Sequence, residues 1–327
     1  MTQARSGSGG VGRFVAVRLG ATVALLVAVS FVVFGLLHLT PGDPARNLLG
    51  PRPPSAEALA RVRAQYHLDD SFLSQYWHWI SGVVRGDFGR SIRSDEAVTT
   101  LLADRVQLTA QLAVLAFLIT VITAVPLGII AAWRSGSAVD RLISTSAVVG
   151  VGAPTYAIGL LLLYWLGVRL DWFPGYGSGD PGWFSGDRWW HLVLPAITLA
   201  IGIGALVFKL TRTAVLAEID QDYVTFARSR GLDRRAVRRL VLRNAIIPVA
   251  TSLGLVFSFL FGGTILVEVT FSLQGIGALL AGSVTFKDIP VVQAITLLTA
   301  AVIALATLTV DVFSVAADPR VRHRAAR

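Results

Sequence analysis

The sequence predicts an all-α integral membrane protein with six transmembrane helices and a small extracytoplasmic helical domain after the first helix. The 327 residues are 54% hydrophobic and only 15% charged, with a mean hydropathy of +0.65. That composition is too apolar for a soluble domain of this length. Apolar runs recur six times along the chain. Each is about twenty residues long, and a helix of that length crosses the roughly 30 Å of bilayer hydrocarbon.

The predicted spans cover residues 15–40, 105–133, 143–168, 191–211, 245–269 and 290–313. The first run is interpreted as an uncleaved span, because it is followed by Leu39-Thr40-Pro41-Gly42-Asp43-Pro44 and not by a small-residue cleavage site. Glycine and proline inside the spans are ordinary in membrane helices and mark candidate kinks. They occur at Pro126-Leu127-Gly128 and at Gly152-Ala153-Pro154.

The connectors between the spans alternate in charge, and this alternation predicts the orientation. Residues 1–14 and 314–327 are tails, 41–104 form a polar domain, and 169–190, 212–244 and 270–289 are the longer of the remaining connectors. About eighteen of the twenty-nine Lys and Arg residues lie in the tails and in the connectors after the second and fourth spans. Cytoplasmic loops carry such an excess of basic residues. Both termini and 212–244 are therefore predicted to be cytoplasmic, whereas 41–104, 169–190 and 270–289 lie outside.

The connector 212–244 has the most specific local pattern in the chain. Asp222 is predicted to cap a short helix that ends at Gly231, a residue suited to the left-handed position after a helix. Asp233 is predicted to cap a second, amphipathic helix, and Pro248 marks the entry to the next apolar run. The arginines of the second helix repeat at helical spacing. This basic face is expected to meet lipid phosphates or a partner.

Three sequence phrases carry a resemblance to a known family. They are Asp222-Tyr223-Val224, Ala227-Arg228-Ser229-Arg230-Gly231-Leu232 and Arg243-Asn244-Ala245-Ile246-Ile247-Pro248. Together they resemble the cytoplasmic "EAA" loop of permease subunits of binding-protein-dependent ABC importers, in the dipeptide and oligopeptide branch. Thr225-Phe226 stands where the general pattern has Glu-Ala, and the spacing from Gly231 to Pro248 is longer. Peptide-type permeases share both departures. The phrases Pro41-Gly42-Asp43-Pro44 and Gly86-Asp87-Phe88-Gly89-Arg90-Ser91 are also similar to their external segment.

The resemblance implies a type I ABC importer permease fold in the bacterial cytoplasmic (inner) membrane. It implies a second homologous permease subunit, two cytoplasmic ATPase domains and an extracytoplasmic substrate-binding protein as partners. In that family the loop forms a coupling helix that sits in a groove of the ATPase. The residues carried over to this role are Asp222, Tyr223, Val224, Ala227, Arg228, Gly231 and Leu232. The apolar members Tyr223, Val224 and Ala227 are expected to face the partner.

Motifs for catalysis and cofactor binding are missing from the sequence. It contains no Gly-x-x-x-x-Gly-Lys-Ser/Thr motif, so ATP and Mg²⁺ are expected on partner subunits, with no cofactor, metal or catalytic residue on this chain. The absence of cysteine excludes disulfides and thiolate metal sites. Asp180, Asp187 and His191 have no specific metal-ligand spacing. Glu268, Asp311 and His38 lie near span ends, where solvated or paired groups are expected.

Other functions are weighed against transport of di- and oligopeptides. The first alternative keeps the same transporter class with another substrate, such as a nickel complex, glutathione or a small sugar. The second is an ATP-independent channel or secondary carrier, which the coupling loop and the lack of charge within the spans disfavour. Nucleic-acid binding is disfavoured because the arginine cluster lacks interleaved aromatic residues. The sequence does not identify the residues that line a translocation path.

Overall fold

The computed structural model describes residues 7–39, 43–49, 55–65 and 68–317, and the regular structure within these ranges is helical apart from an isolated bridge between Arg90 and Ala97. The predicted all-α class is confirmed. The predicted features at Pro41, Gly42 and the last tail residues lie outside the described ranges. In chain order the helices are α1 (Gly7–Leu39), α2 (Pro44–Leu49), α3 (Ala56–Gln65), α4 (Phe72–Val84), α5 (Val98–Trp133), α6 (Ala138–Gly152), α7 (Thr155–Leu162) with a π-helical continuation (Leu163–Arg169), α8 (Gly186–Ile219), α9 (Asp222–Ser229), α10 (Arg234–Thr270), α11 (Ile276–Thr285) and α12 (Ile289–Ala317).

Four of the described helices are long and apolar enough to cross a membrane without a break, namely α1, α5, α8 and α12. Two further candidates are bent. The legs Ala138–Gly152 and Thr155–Arg169 meet at 106°, and the legs Arg234–Gly254 and Phe259–Thr270 of α10 meet at 50°. The described residues therefore provide six candidate spans if each bent pair crosses once.

The sharp bend between α6 and α7 has a local cause in the sequence. Pro154 has no backbone N–H, and the residue before a proline is pushed out of the helical region. Ala153 accordingly adopts an extended conformation, with φ −80° and ψ 132°. The predicted kink at Gly152-Ala153-Pro154 is confirmed. Pro248, predicted to mark the entry to an apolar run, lies inside α10, which continues without a break from the basic loop into that run.

Helices α3 and α4 belong to the first connector, and α4 packs against α1 through aromatic rings. The rings of Phe31 and Phe34 each lie 5.3 Å from that of Phe72 in edge-on contacts, a favourable geometry for aromatic pairs. The side chain of His38 is 3.1 Å from the Gln75 amide oxygen, so this group near the end of α1 is paired, as predicted.

The main core is built around α8. Its buried Leu192, Leu194 and Leu199 join Leu108 and Leu112 of α5 and Leu260 of α10 in one hydrophobic cluster. Close approach of α5 and α8 depends on Gly128, where an added Cβ would lie 2.8 Å from the Thr211 Cβ and 2.9 Å from the Phe208 carbonyl oxygen. Such contacts between backbones through glycine are typical of membrane helix packing.

The carboxylates near the span ends differ in their surroundings. Asp311 pairs with Arg18 at 3.2 Å, as expected for a charge at this position. Glu268 is not solvated, because its side chain is fully buried beneath α11. Helix α11 lies within the connector 270–289, which was predicted as an external loop. Its carboxylate accepts hydrogen bonds from the Thr109 hydroxyl and the Ala278 N–H. A helix that folds back over the span end, which the sequence did not reveal, accounts for this burial.

Candidate functional site

Helix α9 is a short separate helix between the ends of two long ones. Helix α8 ends at Ile219, and Asp220 and Gln221 turn the chain into α9. The N-cap of α9 is Gln221 and not the predicted Asp222, and the Gln221 side chain makes no capping bond. Asp222 instead occupies the first helical turn and is exposed. Its negative charge there is favourable to the helix dipole.

The end of α9 follows the predicted pattern. Gly231 has φ +77°, the left-handed conformation, as expected from its position after the helix. The Leu232 N–H donates to the Ala227 carbonyl at 3.2 Å, and the Gly231 N–H donates to the Arg228 carbonyl at 3.0 Å. This pair of bonds is a Schellman motif, which satisfies the last carbonyls of a helix and reverses the chain.

Helix α10 begins immediately after this turn. Asp233 is its N-cap, and its carboxylate accepts a 2.9 Å hydrogen bond from the Ala236 N–H. The predicted cap is confirmed. Because the turn at Gly231 and the cap at Asp233 are only two residues apart, the direction of α9 relative to α10 is set by a short, well-bonded segment.

The face of α9 that was expected to meet a partner is turned inward. Val224 is 0% exposed and Ala227 is 6% exposed. Both belong to a hydrophobic group that we call the α9 cluster, made of the buried residues Ala132, Val215, Val224, Ala227, Val237, Val241 and Ala245. The expectation that Val224 and Ala227 form a docking surface is therefore wrong, because both side chains are covered by the protein's own helices.

Tyr223 anchors α9 to the end of α8. Its hydroxyl donates a 2.5 Å hydrogen bond to the Glu218 carboxylate, and the ring is partly buried against the α9 cluster. Burial raises the pKa of the Tyr223 phenol, and the hydrogen bond to Glu218 raises it further. The neutral phenol is therefore the form that holds α9 in place.

The exposed face of α9 carries a residue that was not among the predicted coupling residues. Phe226 is 62% exposed, and the Arg230 guanidinium lies 5.6 Å from the centre of its ring. Asp222 and Arg228 are exposed beside it, and Leu232 follows at 43% exposed. On a helical wheel Phe226 lies roughly 160° from Val224 and roughly 100° from Ala227, so the sequence could have placed it off the buried face. Of the predicted coupling residues, the structure thus exposes Asp222, Arg228, Gly231 and Leu232.

The α9 cluster joins three candidate spans to the small helix. Ala132 comes from the end of α5, Val215 from the end of α8, and Val237 and Val241 from the start of α10. A displacement of α9 would therefore act on the ends of all three helices through these side-chain contacts. Nearby, Arg212 of α8 donates two hydrogen bonds of 2.7 and 2.8 Å to Asp140 of α6, which ties a fourth helix to the same end of the bundle.

The described residues contain no group of three or more His, Cys, Asp or Glu side chains that could hold a metal ion. The Asp187 carboxylate accepts a hydrogen bond from the Asp180 N–H, and His191 Nδ1 lies 2.9 Å from the Asp187 carbonyl oxygen. These three residues shape the turn that leads into α8.

Comparison with known proteins identifies the family. Residues 124–323 match the family described as "Binding-protein-dependent transport system inner membrane component", and residues 11–113 match its N-terminal component. The chain is 39% identical over 313 residues to the glutathione transport system permease protein GsiC of Escherichia coli K12, covering 95% of this chain and 99% of that protein. It is 34% identical over 319 residues to the probable peptide ABC transporter permease protein y4tP of Sinorhizobium fredii, covering 96% and 100%.

A solved structure shares the fold. An inward-facing structure of the MetNI methionine ABC transporter matches with a TM-score of 0.54 and 15% identity, over 67% of this chain and 96% of that one. The chain belongs to the binding-protein-dependent transport system inner membrane components, as a multi-pass permease subunit of an ABC importer in the branch of the dipeptide and oligopeptide permeases.

Proposed function

We propose that the chain forms half of a translocation path for di- and oligopeptides delivered by an external binding protein. The other half is a second, homologous permease subunit. Two separate ATPase domains on the cytoplasmic side bind and hydrolyse ATP with Mg²⁺. In this scheme ATP and Mg²⁺ are bound by those partners and not by this chain. The termini and α9 face the cytoplasm, in line with the excess of Lys and Arg in those segments.

One observation carries the coupling part of this proposal. Helix α9 exposes Phe226 and, beyond the helix end, Leu232, while its opposite face is packed on the α9 cluster. An exposed aromatic side chain on a short helix is suited to a hydrophobic groove of a partner. Closure of the ATPases would then move α9, and through the cluster the ends of α5, α8 and α10. Val224 and Ala227 act in this scheme as positioning residues.

The choice of substrate rests on the relatives. One is named for peptide transport and one for glutathione, which is itself a modified tripeptide. Both names favour a short peptide over a nickel complex or a small sugar. Uptake by proteoliposomes that contain the whole importer and its binding protein tests this choice directly. Labelled tripeptide and glutathione are compared with nickel and a disaccharide, and uptake of nickel or of the sugar without uptake of either peptide would contradict the proposal.

Replacement of Phe226 tests the coupling role. In the assembled importer, Phe226→Ser is expected to weaken retention of the ATPase subunits and to abolish substrate-stimulated ATP hydrolysis. Phe226→Leu, which keeps an apolar side chain, should retain most of both. Because Phe226 is exposed, neither change should alter membrane insertion or ligand capture by the binding protein. Full transport by Phe226→Ser would contradict a docking role for this face of α9.

A further inference from the structure

A basic cavity lies between α9 and the start of α10, and two of its three arginines belong to α10. Its volume is about 300 Å³. It is bounded by the end of α5, the turn after α9 and the first turns of α10, and it is lined by Trp133, Arg228, Leu232, Arg234, Val237 and Arg238. Three of the six lining residues are arginines, and the lining contains no Asp or Glu.

The three arginines are available to a ligand. All are exposed, and within the described ranges no carboxylate forms an ion pair with any of them. The nearest acid along the chain is Asp233, whose carboxylate caps α10 by accepting the Ala236 N–H. The Arg238 guanidinium lies 5.5 Å from the centre of the Trp133 ring, which orders it at one wall of the cavity. Positive charge therefore accumulates around a defined space.

The position of the cavity relative to the bilayer limits which kinds of ligand can reach it. Trp133 is the last residue of α5, a candidate span, and Arg234 begins the first leg of the bent candidate span in α10. Tryptophan is enriched at the membrane interface, at the level of the lipid headgroups. Leu232 and Val237 add apolar surface to the cavity. A ligand with a phosphate and an attached apolar part, entering from the side of the membrane, fits both kinds of lining.

We propose that this cavity binds the phosphate headgroup of an anionic phospholipid, with Arg234 and Arg238 as the main phosphate ligands. Basic pockets beside membrane helices attract anionic headgroups, and arginine suits phosphate because its planar group donates two parallel hydrogen bonds. The bound lipid would hold the start of α10 at the membrane surface. The two main phosphate ligands lie on α10 and not on the exposed face of α9, so their role requires only that α5 and α10 enter the membrane.

Native mass spectrometry of the purified, assembled importer tests the proposal. The complex is titrated with phosphatidylglycerol and, separately, with phosphatidylcholine. The double variant Arg234→Gln/Arg238→Gln is compared with the matched control Arg235→Gln/Arg239→Gln, which removes two exposed arginines of the same helix outside the cavity lining. We expect the first variant to lose about tenfold or more of its affinity for phosphatidylglycerol at one site, while the control changes by less than about twofold.

Further measurements distinguish a lipid site from diffuse attraction, from a free-anion site and from a protein interface. Arg238→Lys keeps the charge but not the paired donors, so an intermediate loss is expected. Equal losses in both double variants would mean diffuse attraction and would overturn the proposal. Displacement of the lipid by inorganic phosphate at equal concentration would overturn it in favour of a site for a free anion. If Arg234→Gln/Arg238→Gln kept its lipid binding but lost the ATPase subunits, the arginines would face a protein partner and the proposal would be overturned. A negative result with the Phe226 variants would contradict the docking role of α9 without contradicting the lipid site.

Discussion

The Thr109 hydroxyl donates a 2.7 Å hydrogen bond to the buried carboxylate of Glu268. The same hydroxyl oxygen accepts the Ile276 N–H at 2.9 Å, and the other oxygen of Glu268 accepts the Ala278 N–H at 2.9 Å. Two side chains from α5 and α10 thereby satisfy free N–H groups in the first turn of α11. The N-terminus of a helix favours a negative charge, so this carboxylate is well placed to hold α11 against the bundle.

Removal of either partner should loosen α11. Thr109→Val is expected to lower the free energy of unfolding by about 1–2 kcal/mol, because a buried carboxylate oxygen and a backbone N–H lose their partner. Glu268→Gln should cost about 1–3 kcal/mol, since an amide group would face backbone donors. The measurement is thermal unfolding in detergent. Thr270→Val is the matched control, because that hydroxyl is exposed and bonds its own helix, and an equal loss there would contradict a specific role for the Thr109–Glu268 pair.

Glycine is required beside the Glu268 carboxylate. A Cβ at position 275 would lie 2.4 Å from the carboxyl carbon of Glu268, whereas a Cβ at position 282 of α11 would meet nothing within 4 Å. Gly275→Ala is therefore expected to displace α11 and to lower the thermal unfolding temperature of the protein. Gly282→Ala should leave that temperature unchanged or raise it slightly, because alanine favours the helix. Equal effects of the two substitutions would show that α11 tolerates movement at its start.

Gly231 tests the turn that orients α9. With φ at +77° and no atom within 4 Å of the position that a Cβ would occupy, the cost of a side chain here comes from the backbone alone. Gly231→Val is expected to cost about 1–2 kcal/mol locally and to misdirect α9 against α10. Gly231→Asn, which accepts the left-handed conformation more readily, should retain more activity. Substrate-stimulated ATP hydrolysis of the assembled importer is the readout, and equal activity of the two variants would contradict a role for this turn.

Ala227 and Thr225 give opposite predictions although they are two residues apart. Ala227→Glu buries an unpaired charge in the α9 cluster and should cost about 3 kcal/mol or more, which lowers the amount of folded protein in the membrane. Thr225→Glu places the same charge on the exposed face and should leave folding intact. Yield and thermal unfolding of the purified chain distinguish the two. Normal stability of Ala227→Glu would mean that α9 detaches from the cluster easily.

The raised pKa of Tyr223 gives a pH dependence. Its ordinary value is 10.0, and burial and Glu218 raise it in the folded protein. The folded state then holds the phenol proton more tightly than the unfolded state does, so the stabilisation is fully present below pH 10 and is lost as the pH rises through the folded value. The difference in unfolding temperature between the wild type and Tyr223→Phe should shrink above pH 10. If the difference in unfolding temperature grew above pH 10, the hydrogen-bonded phenolate and not the phenol would be the stabilising form, which would contradict the prediction.

Local features of the site were predictable from sequence, and long-range ones were not. The conformation of Gly231 and the cap at Asp233 depend on neighbours within a few residues, and both predictions are confirmed. The burial of Val224 and Ala227 depends on Ala132 and Val215, which come from separate helices. An apolar stripe on a short helix indicates a contact but does not say whether the contact lies within the chain or with a partner. The burial of Glu268 could not be predicted for a similar reason, because its surroundings are completed by α11.

The break between α6 and α7 has a mechanical consequence when it is set beside α8. Helix α8 is 34 residues long, roughly 50 Å, and runs unbroken from the turn at Ser185 to the segment that leads into α9. Because α8 is a single continuous helix, a displacement at one end along its axis is transmitted to the other end. The 106° bend at Ala153 prevents α6 and α7 from doing so, because a push on one leg turns the other about the joint. Since Arg212 of α8 is paired with Asp140 at the start of α6, we expect movement of α8 along its axis to change the angle between α6 and α7.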